Sequence, residues 1–508
     1  MNKVLKGLVA VAATAAMAIA GVAGAASATA AENTTATTNP TITFPTDAKY
    51  QDHTYEVYQI FTGDLSSDGV LSNVKYGKNS NQTEGDEVPA TELKKLTDVN
   101  VEGKTDQDKL DVIKTFAKLE NPVATLTKTN TSYEAAPGYY LIKDKDNTVG
   151  GNDANTLYIT KVVDDVTISP KSDVPSFQKK VKDTNDTTGD TSNWQDSADY
   201  DIGDEVPFQL KATLPSNYAD YKTYYLAFHD VEEKGLSFNP NSVKVAVNGT
   251  SVDASNYTVK TAKDLTDGCT FEVVFTDLKT AVAATNSSEI TVDYTSTLTA
   301  NATLGNQGNV NKAMLQFSNN PNSEQGGEST PTGKTPWDKV IVFTYKVVVN
   351  KVKQNNEPLK GAAFKLEKKL KNGTTKTVNE FIAGEDTSFT FSGLDDGDYV
   401  LTETTTPAGY NTIKPITFTV TADHQVEWTT GERTDVLTNL SGNAASGEII
   451  LAADKTDGSL TADVVNVKGS NLPSTGGMGT TILYAAGAAI VLVAAFGIAF
   501  AVRRRNAR

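Results

Sequence analysis

Cys269 is the only cysteine in the chain, and that count removes the usual staple of an exported protein. Export is what the first thirty residues predict. Lys3 and Lys6 precede an apolar, small-residue stretch from Leu8 to Ala26, and Ala28-Thr29-Ala30 supplies a small-x-small cleavage site, as in a secretory signal peptide. One thiol makes no internal disulfide. The fold therefore stands without covalent staples or uses staples of another kind. Threonine and valine are abundant and alanine-rich stretches are few away from the ends, which favours strands. The length left over suits three domains of ordinary size.

Charge and histidine content exclude several function classes. The formal net charge is −16, and removing the signal peptide and the segment after Thr475 takes away two lysines and four arginines, giving −22. No basic patch offsets this, so no nucleic-acid partner is expected. The three histidines, His53, His229 and His424, show no zinc-ligand spacing, and there is no phosphate loop; no metal or cofactor is expected. Adjacent acids such as Asp164-Asp165 and Asp395-Asp396 would face opposite ways on a strand, so they are read as solvated turns rather than a hydrolase pair.

The far end of the chain carries Leu472-Pro473-Ser474-Thr475-Gly476, then an uncharged apolar run, then Arg503, Arg504, Arg505 and Arg508. The run, about 480–502, is long enough for a transmembrane helix, and the arginines would hold its end on the cytoplasmic side. This order resembles the LPxTG sorting signal of Gram-positive surface proteins. The resemblance implies that a sortase cuts between Thr475 and Gly476 and joins the Thr475 carboxyl to an amine.

Strand alternation marks candidate interior groups. Over Phe177-Gln178-Lys179-Lys180-Val181, Phe177, Lys179 and Val181 face one way, which puts Lys179 among core residues. The strand Tyr225 to Asp230 carries Asp230, and over 310–317 Asn311, Ala313, Leu315 and Phe317 share a face. Later, Val347, Val349 and Lys351 share a face, as do Tyr399, Leu401 and Glu403, and Asn466 lies in the last strand, Val464 to Val467. A lysine, an acid and an asparagine thus recur at inward positions. Position alone leaves two outcomes open: a buried ion pair beside a hydrogen-bonded asparagine, or attack of a neutral amine on the carboxamide.

Two further motifs bear on that choice. Tyr399 to Tyr410 (YVLTETTTPAGY) matches the E-box YxLxETxxPxGY, and Val166, Ile168, Pro170 and Lys171 match positions of the pilin motif WxxxVxVYPK, with Val162 in place of Trp and Ser169 in place of Tyr. The chain resembles a major backbone subunit of Gram-positive sortase-assembled pili, of the actinobacterial type 1/type 2 fimbrial kind, with collagen-adhesin B-type immunoglobulin-like domains. The resemblance implies a mainly β fold of tandem immunoglobulin-like β-sandwich domains with intramolecular isopeptide bonds. It pairs Lys179 with Asn311 and Lys351 with Asn466, promoted by Asp230 and Glu403, and makes Lys171 the acceptor for Thr475 of another copy. It implies a cell-wall-anchored fimbrial shaft rather than an enzyme. The implied partners are pilin-specific and housekeeping sortases, other copies of the chain, a tip or accessory pilin, peptidoglycan, and a host glycan or matrix protein. The competing readings are a wall-anchored adhesin or accessory pilin that never polymerises and, behind it, a surface hydrolase.

The expected organisation is a signal peptide at 1–30, a β-rich domain at 31–165, a middle immunoglobulin-like domain at 166–333, a collagen-adhesin B-type domain at 334–470 and the sorting signal at 472–508. Within the first domain, Tyr55, Val57 and Phe61 are expected on one strand face, 63–85 as loops, and one or two short helices within 91–120.

Overall fold

The computed structural model describes residues 39–469 except 66–70, 99–105, 147, 151–152, 171, 322, 324–325, 429–434 and 445–448. The signal peptide and the sorting signal lie outside the described residues. The described chain is mainly β, built of immunoglobulin-like sandwiches.

In the first region the long strand Tyr55–Leu65 is central and antiparallel to Leu71–Tyr76 and Gly138–Asp144; the latter pairs with Leu157–Val162. A small second sheet joins Thr41–Thr43 to Ser132–Glu134 and, in parallel, to Val166–Thr167. Two short helices, Ala90–Asp98 and Asp106–Lys114, fall where the sequence predicts them. Two expectations need correction. Leu71–Tyr76 is a strand inside the stretch read as loops, because Leu71 and Tyr76 bury their side chains while the polar residues between them stay exposed or half-exposed. Phe61 does not share the face of Tyr55 and Val57: a register shift between Gln59 and Phe61 turns it to the other side, where it packs with Tyr58, Ile60 and Phe116.

The middle region is a sandwich of two sheets around one core. One sheet runs Lys244–Val247, Glu289–Leu298, Glu205–Thr213, Ser176–Val181; the other runs Asp338–Phe343, Asn309–Ser318, Leu226–Glu232, Phe271–Phe275, Thr258–Thr261. The strict burial alternation of Glu289–Leu298 shows why these segments are strands with one face inward. The apolar run after Pro336 becomes two strands. Asp338–Phe343 completes the middle sandwich and Tyr345–Lys353 begins the next, so the change-over falls at Thr344.

The third region packs the sheet Ser388–Leu394, Tyr345–Lys353, Ser459–Asn466, Ala452–Asp454 against the sheet Thr375–Phe381, Ala363–Lys369, Gly397–Thr405, Ile416–His424, Leu437–Ala444. Its first and last long strands, Tyr345–Lys353 and Ser459–Asn466, are parallel neighbours. The two sandwiches touch backbone to backbone at Gly305 and Gly458, both at positive φ; a Cβ on Gly305 would come within 2.5 Å of the Gly458 nitrogen.

The transmembrane expectation is corrected here. Among the described residues no helix is long and apolar enough to cross a membrane. The longest helices have 9 residues, under half of the roughly 20 that hydrocarbon requires. The apolar run at 480–502 lies outside the described residues.

Candidate functional site

The fold brings the two predicted trios into two buried pockets. In the middle sandwich, Lys179 comes from one sheet, and Asp230 and Asn311 come from the facing sheet; all three are fully buried. Lys179 Nζ donates to Asp230 Oδ2 at 2.6 Å and to Tyr294 Oη at 2.7 Å. Tyr294 Oη donates to Asp230 Oδ2 at 2.8 Å and accepts from Asn311 Nδ2 at 2.9 Å. Burial pushes the Lys179 amine down and the Asp230 carboxyl up, each against the pull of the other. Both shifts run toward uncharged partners. Asp230 Oδ1 and Asn311 Oδ1 have no hydrogen-bond partner.

Sequence reasoning missed a second acid in this pocket. Glu232 stands opposite Asn311 in the ladder and its Oε1 accepts from Asn311 Nδ2 at 3.3 Å and from Ser296 Oγ. Burial and the neighbouring Asp230 push its carboxyl up to about 8. The signal was present: Glu232 is two residues from Asp230 on the same strand and so on the same face. The alternation of Glu289–Leu298 turns Tyr294 inward, but nothing in the sequence marks its hydroxyl as the point where lysine, acid and asparagine meet.

In the third sandwich the arrangement differs. Lys351 and Asn466 lie on adjacent parallel strands of one sheet, with Lys351 opposite Val464 and Asn466 opposite Lys353, while Glu403 reaches in from the other sheet. Lys351 and Asn466 are fully buried and the Glu403 side chain is enclosed. Asn466 Nδ2 donates to Glu403 Oε1 at 3.0 Å and Oε2 at 3.2 Å; Lys351 Nζ lies 3.9 Å from Glu403 Oε1 and donates to the Val464 carbonyl at 2.7 Å. Ile413 N and Thr406 Oγ1, from the turn that ends the E-box and the residues after it, also donate to Glu403 Oε2, each at 3.2 Å. Burial lowers the Lys351 amine to about 8, partly opposed by Glu403. Asn466 Oδ1 has no partner.

A third ionic group, unforeseen, joins the two sandwiches. Asp395 is buried and not a solvated turn: it closes on Lys368, which also reaches Asp201 of the middle sandwich at 3.3 Å. Asp396 accepts from Asn185 Nδ2 at 2.5 Å, and burial with Asp199 raises it to about 7. The turn between Ser388–Leu394 and Gly397–Thr405 is buried because the middle sandwich covers it, which no local pattern reports. Asp164 and Asp165 are exposed, as expected.

Lys171 and the pentapeptide Leu472, Pro473, Ser474, Thr475 and Gly476 lie outside the described residues. The chain just before Lys171 is fixed: Val166 and Thr167 pair with Ile42 and Thr43, and Ile168 N donates to the Thr43 carbonyl at 2.8 Å. The middle sandwich begins at Ser176.

Residues 202–321 match the family described as Gram-positive pilin backbone subunit 2, Cna-B-like domain, and residues 345–434 match the SpaA prealbumin-like fold domain. The chain is a Gram-positive pilin backbone subunit. The pilin is 27% identical over 412 residues to the trypsin-resistant surface T6 protein of Streptococcus pyogenes serotype M6, covering 66% of this chain and 70% of the relative. Among solved structures, the T6 backbone pilin of that serotype superposes with a TM-score of 0.51 at 18% identity, over 85% of this pilin and 98% of that chain. That likeness is one of fold. The full-length major pilin SpaD of Corynebacterium diphtheriae gives a TM-score of 0.47 at 18% identity, over 85% and 98% of the two chains.

Proposed function

We propose that this pilin is polymerised head to tail by an amide between the Thr475 carboxyl of one copy and the Lys171 amine of the next, and that each copy is stapled internally by Lys179–Asn311 and Lys351–Asn466 amides. As a backbone subunit of a sortase-assembled pilus, the protein is a structural element of an exported, wall-anchored shaft and turns over no substrate. The observation that carries the internal staples is the enclosure of both lysines, each with a carboxyl and a carboxamide, in pockets without water access. An ammonium there would be costly to leave unpaired, and the shifts run toward the neutral amine.

The chemistry balances without a cofactor. The neutral Nζ attacks the asparagine Cγ, the new C–N bond forms, Nδ2 leaves as ammonia carrying a proton from the attacking amine, and an amide remains. Asp230 and Glu403 relay that proton; Glu403 hydrogen-bonds the Asn466 carboxamide directly, and Asp230 is linked to that of Asn311 through the Tyr294 hydroxyl. Glu232 lies against the departing Nδ2 of Asn311. Fixed proximity lowers the barrier by removing the encounter step. For the intermolecular bond, the pilin-motif residues Val166, Ile168 and Pro170 before Lys171 support it as the acceptor, in the stretch between the strand Val166–Thr167 and the start of the middle sandwich at Ser176. Peptidoglycan, a tip or accessory pilin and a host glycan or matrix protein are the remaining partners in this reading.

Tryptic mass spectrometry of native surface polymer tests the scheme. A peptide joining Thr475 to Lys171 is expected, with both internal cross-links. A single wall-linked species without that peptide would sink polymerisation through Lys171 and leave the non-polymerising adhesin.

A further inference from the structure

On the outer face of the middle sandwich, behind the strand that carries Asp230, four different donors converge. His229 and Glu272 are cross-strand partners in the ladder between Leu226–Glu232 and Phe271–Phe275. Asp267 and Cys269 come from the turn leading into Phe271–Phe275, where Gly268 at φ +86 bends the chain back on itself. His229 Nδ1 lies 3.1 Å from Asp267 Oδ2, 3.0 Å from Glu272 Oε1 and 3.7 Å from Cys269 Sγ, and Cys269 Sγ is 3.2 Å from Asp267 Oδ2. All four donor atoms fall within 4.8 Å of one another. Ligands around tetrahedral zinc, at about 2.0–2.3 Å from the ion, are spaced by about 3.3–3.8 Å.

The hydrogen bonds behind the histidine orient its ring. Gln316 Nε2 donates to Thr332 Oγ1 at 2.9 Å, which turns Gln316 Oε1 toward His229 Nε2 at 3.0 Å. With Nε2 facing that acceptor, Nδ1 is the ring nitrogen turned toward two carboxylate oxygens and a sulfur, the atom that would ligate once an ion replaces the proton shared there. Four potential ligand atoms then surround one point. This is the arrangement that orients metal-ligating imidazoles from behind. Among the described residues, two other groups of this kind differ. Asp183 and Asp199 face His424, whose Nδ1 donates to Ser197 Oγ; Asp186, Asp201 and Asp204 face Lys368 and Lys376. The chain supplies the cation in both. At His229, Lys260 Nζ reaches Glu272 Oε2, at 3.6 Å, and not the Oε1 that faces the imidazole.

We propose that His229, Asp267, Cys269 and Glu272 form a divalent transition-metal site, with zinc the fitting ion. One nitrogen, one sulfur and two carboxylate oxygens suit a borderline ion over calcium or magnesium. His229, Cys269 and Glu272 are buried, while the Asp267 side chain is 39% exposed and gives an entry path. On binding, Cys269 loses its thiol proton to solvent and coordinates as thiolate. Burial and the bond to Asp267 hold that thiol up at about 12, and a bound dication reverses that balance. The ion would tie the Asp230 strand to the turn before Phe271 from outside the core. It would also account for a lone cysteine in a chain that makes no disulfide.

The test uses the whole chain, stripped with a chelator and titrated with Zn2+ alone, then with Co2+ as a spectral probe. One zinc per chain is expected, and the cobalt form should show a thiolate-to-metal charge-transfer band. Cys269→Ser should abolish the band and weaken zinc at least about tenfold. Gln316→Leu should keep the band and weaken zinc by about 10- to 100-fold; it carries the test if the cysteine variant fails to fold. A folded wild-type chain that takes up no stoichiometric zinc overturns the site, and so does a folded Cys269→Ser chain with unchanged affinity.

Discussion

Lys179 and Asn311, from opposite sheets, donate to one and the same oxygen: Tyr294 Oη accepts from Lys179 Nζ at 2.7 Å and from Asn311 Nδ2 at 2.9 Å. The phenol thereby gathers nucleophile and carboxamide, and its own proton goes to Asp230. Tyr294→Phe keeps the ring that stacks on Phe208 and meets Phe271 while deleting the gathering oxygen. The variant should fold, lose about 1–3 kcal/mol from the unpaired groups it leaves, and form the Lys179–Asn311 amide slowly or not at all. Peptide mapping over time checks this; wild-type rates in the variant would remove Tyr294 from the mechanism.

Each amide releases one ammonia, about 17 Da, so recombinant residues 31–470 should be about 34 Da lighter than the sequence mass. Glu403→Ala should restore one ammonia and leave the Lys179–Asn311 loss untouched, because the two pockets share no residue. It should also lower resistance to heat and protease. Intact mass measures all of this, and an unshifted wild type would reject both staples.

Lys351 gives a pH signature once the amide is blocked. Its amine is lowered from 10.5 to about 8 in the fold, so between those values the unfolded chain holds the proton that the folded chain has lost. Stability of Asn466→Ala should therefore rise with pH from about 8 to about 10.5. Thermal unfolding compared with Asn466→Ala/Lys351→Met reads the difference, and parallel curves across that window would contradict it.

His424 behaves oppositely. Burial works against its charge, but Asp183 and Asp199 outweigh it and raise the imidazole from 6.5 to about 10. A raised value means that the folded state binds the extra proton. The contribution is full below about pH 6.5 and fades as pH climbs through about 10. Because Asp183 and Asp199 belong to the middle sandwich and His424 to the third, His424→Asn should loosen that junction by on the order of 3 kcal/mol near pH 6. Urea midpoints at pH 6 and pH 10 test it: the gap between variant and wild type should shrink at the higher pH.

Much of this was legible in the sequence, for a local reason. Two-residue alternation is set by the strand itself, so Lys179, Asn311, Lys351, Glu403 and Asn466 could be placed inward before any neighbour was known. What failed depended on partners. Phe61 changed face through a bulge, and Leu71–Tyr76 is a strand only because Tyr55–Leu65 pairs with it. Asp395 and Asp396 look like a solvated turn until the middle sandwich covers them. Glu232 was within reach of the same alternation that found Asp230. The meeting of His229 with Asp267, Cys269 and Glu272 has no spacing signature, since a ladder and a turn assemble it across two strands.

The parallel pairing of Tyr345–Lys353 with Ser459–Asn466 decides how the third sandwich meets a pull along the shaft. Force arriving at the start of the first strand and leaving from the end of the second loads the whole row of hydrogen bonds in shear, together rather than one after another. With an amide between Lys351 and Asn466, the stretch from Val352 to Val465 becomes a side loop off the load path. A tugged shaft could then lengthen by little in this sandwich, and the slack stored in its longest run of chain would never be drawn.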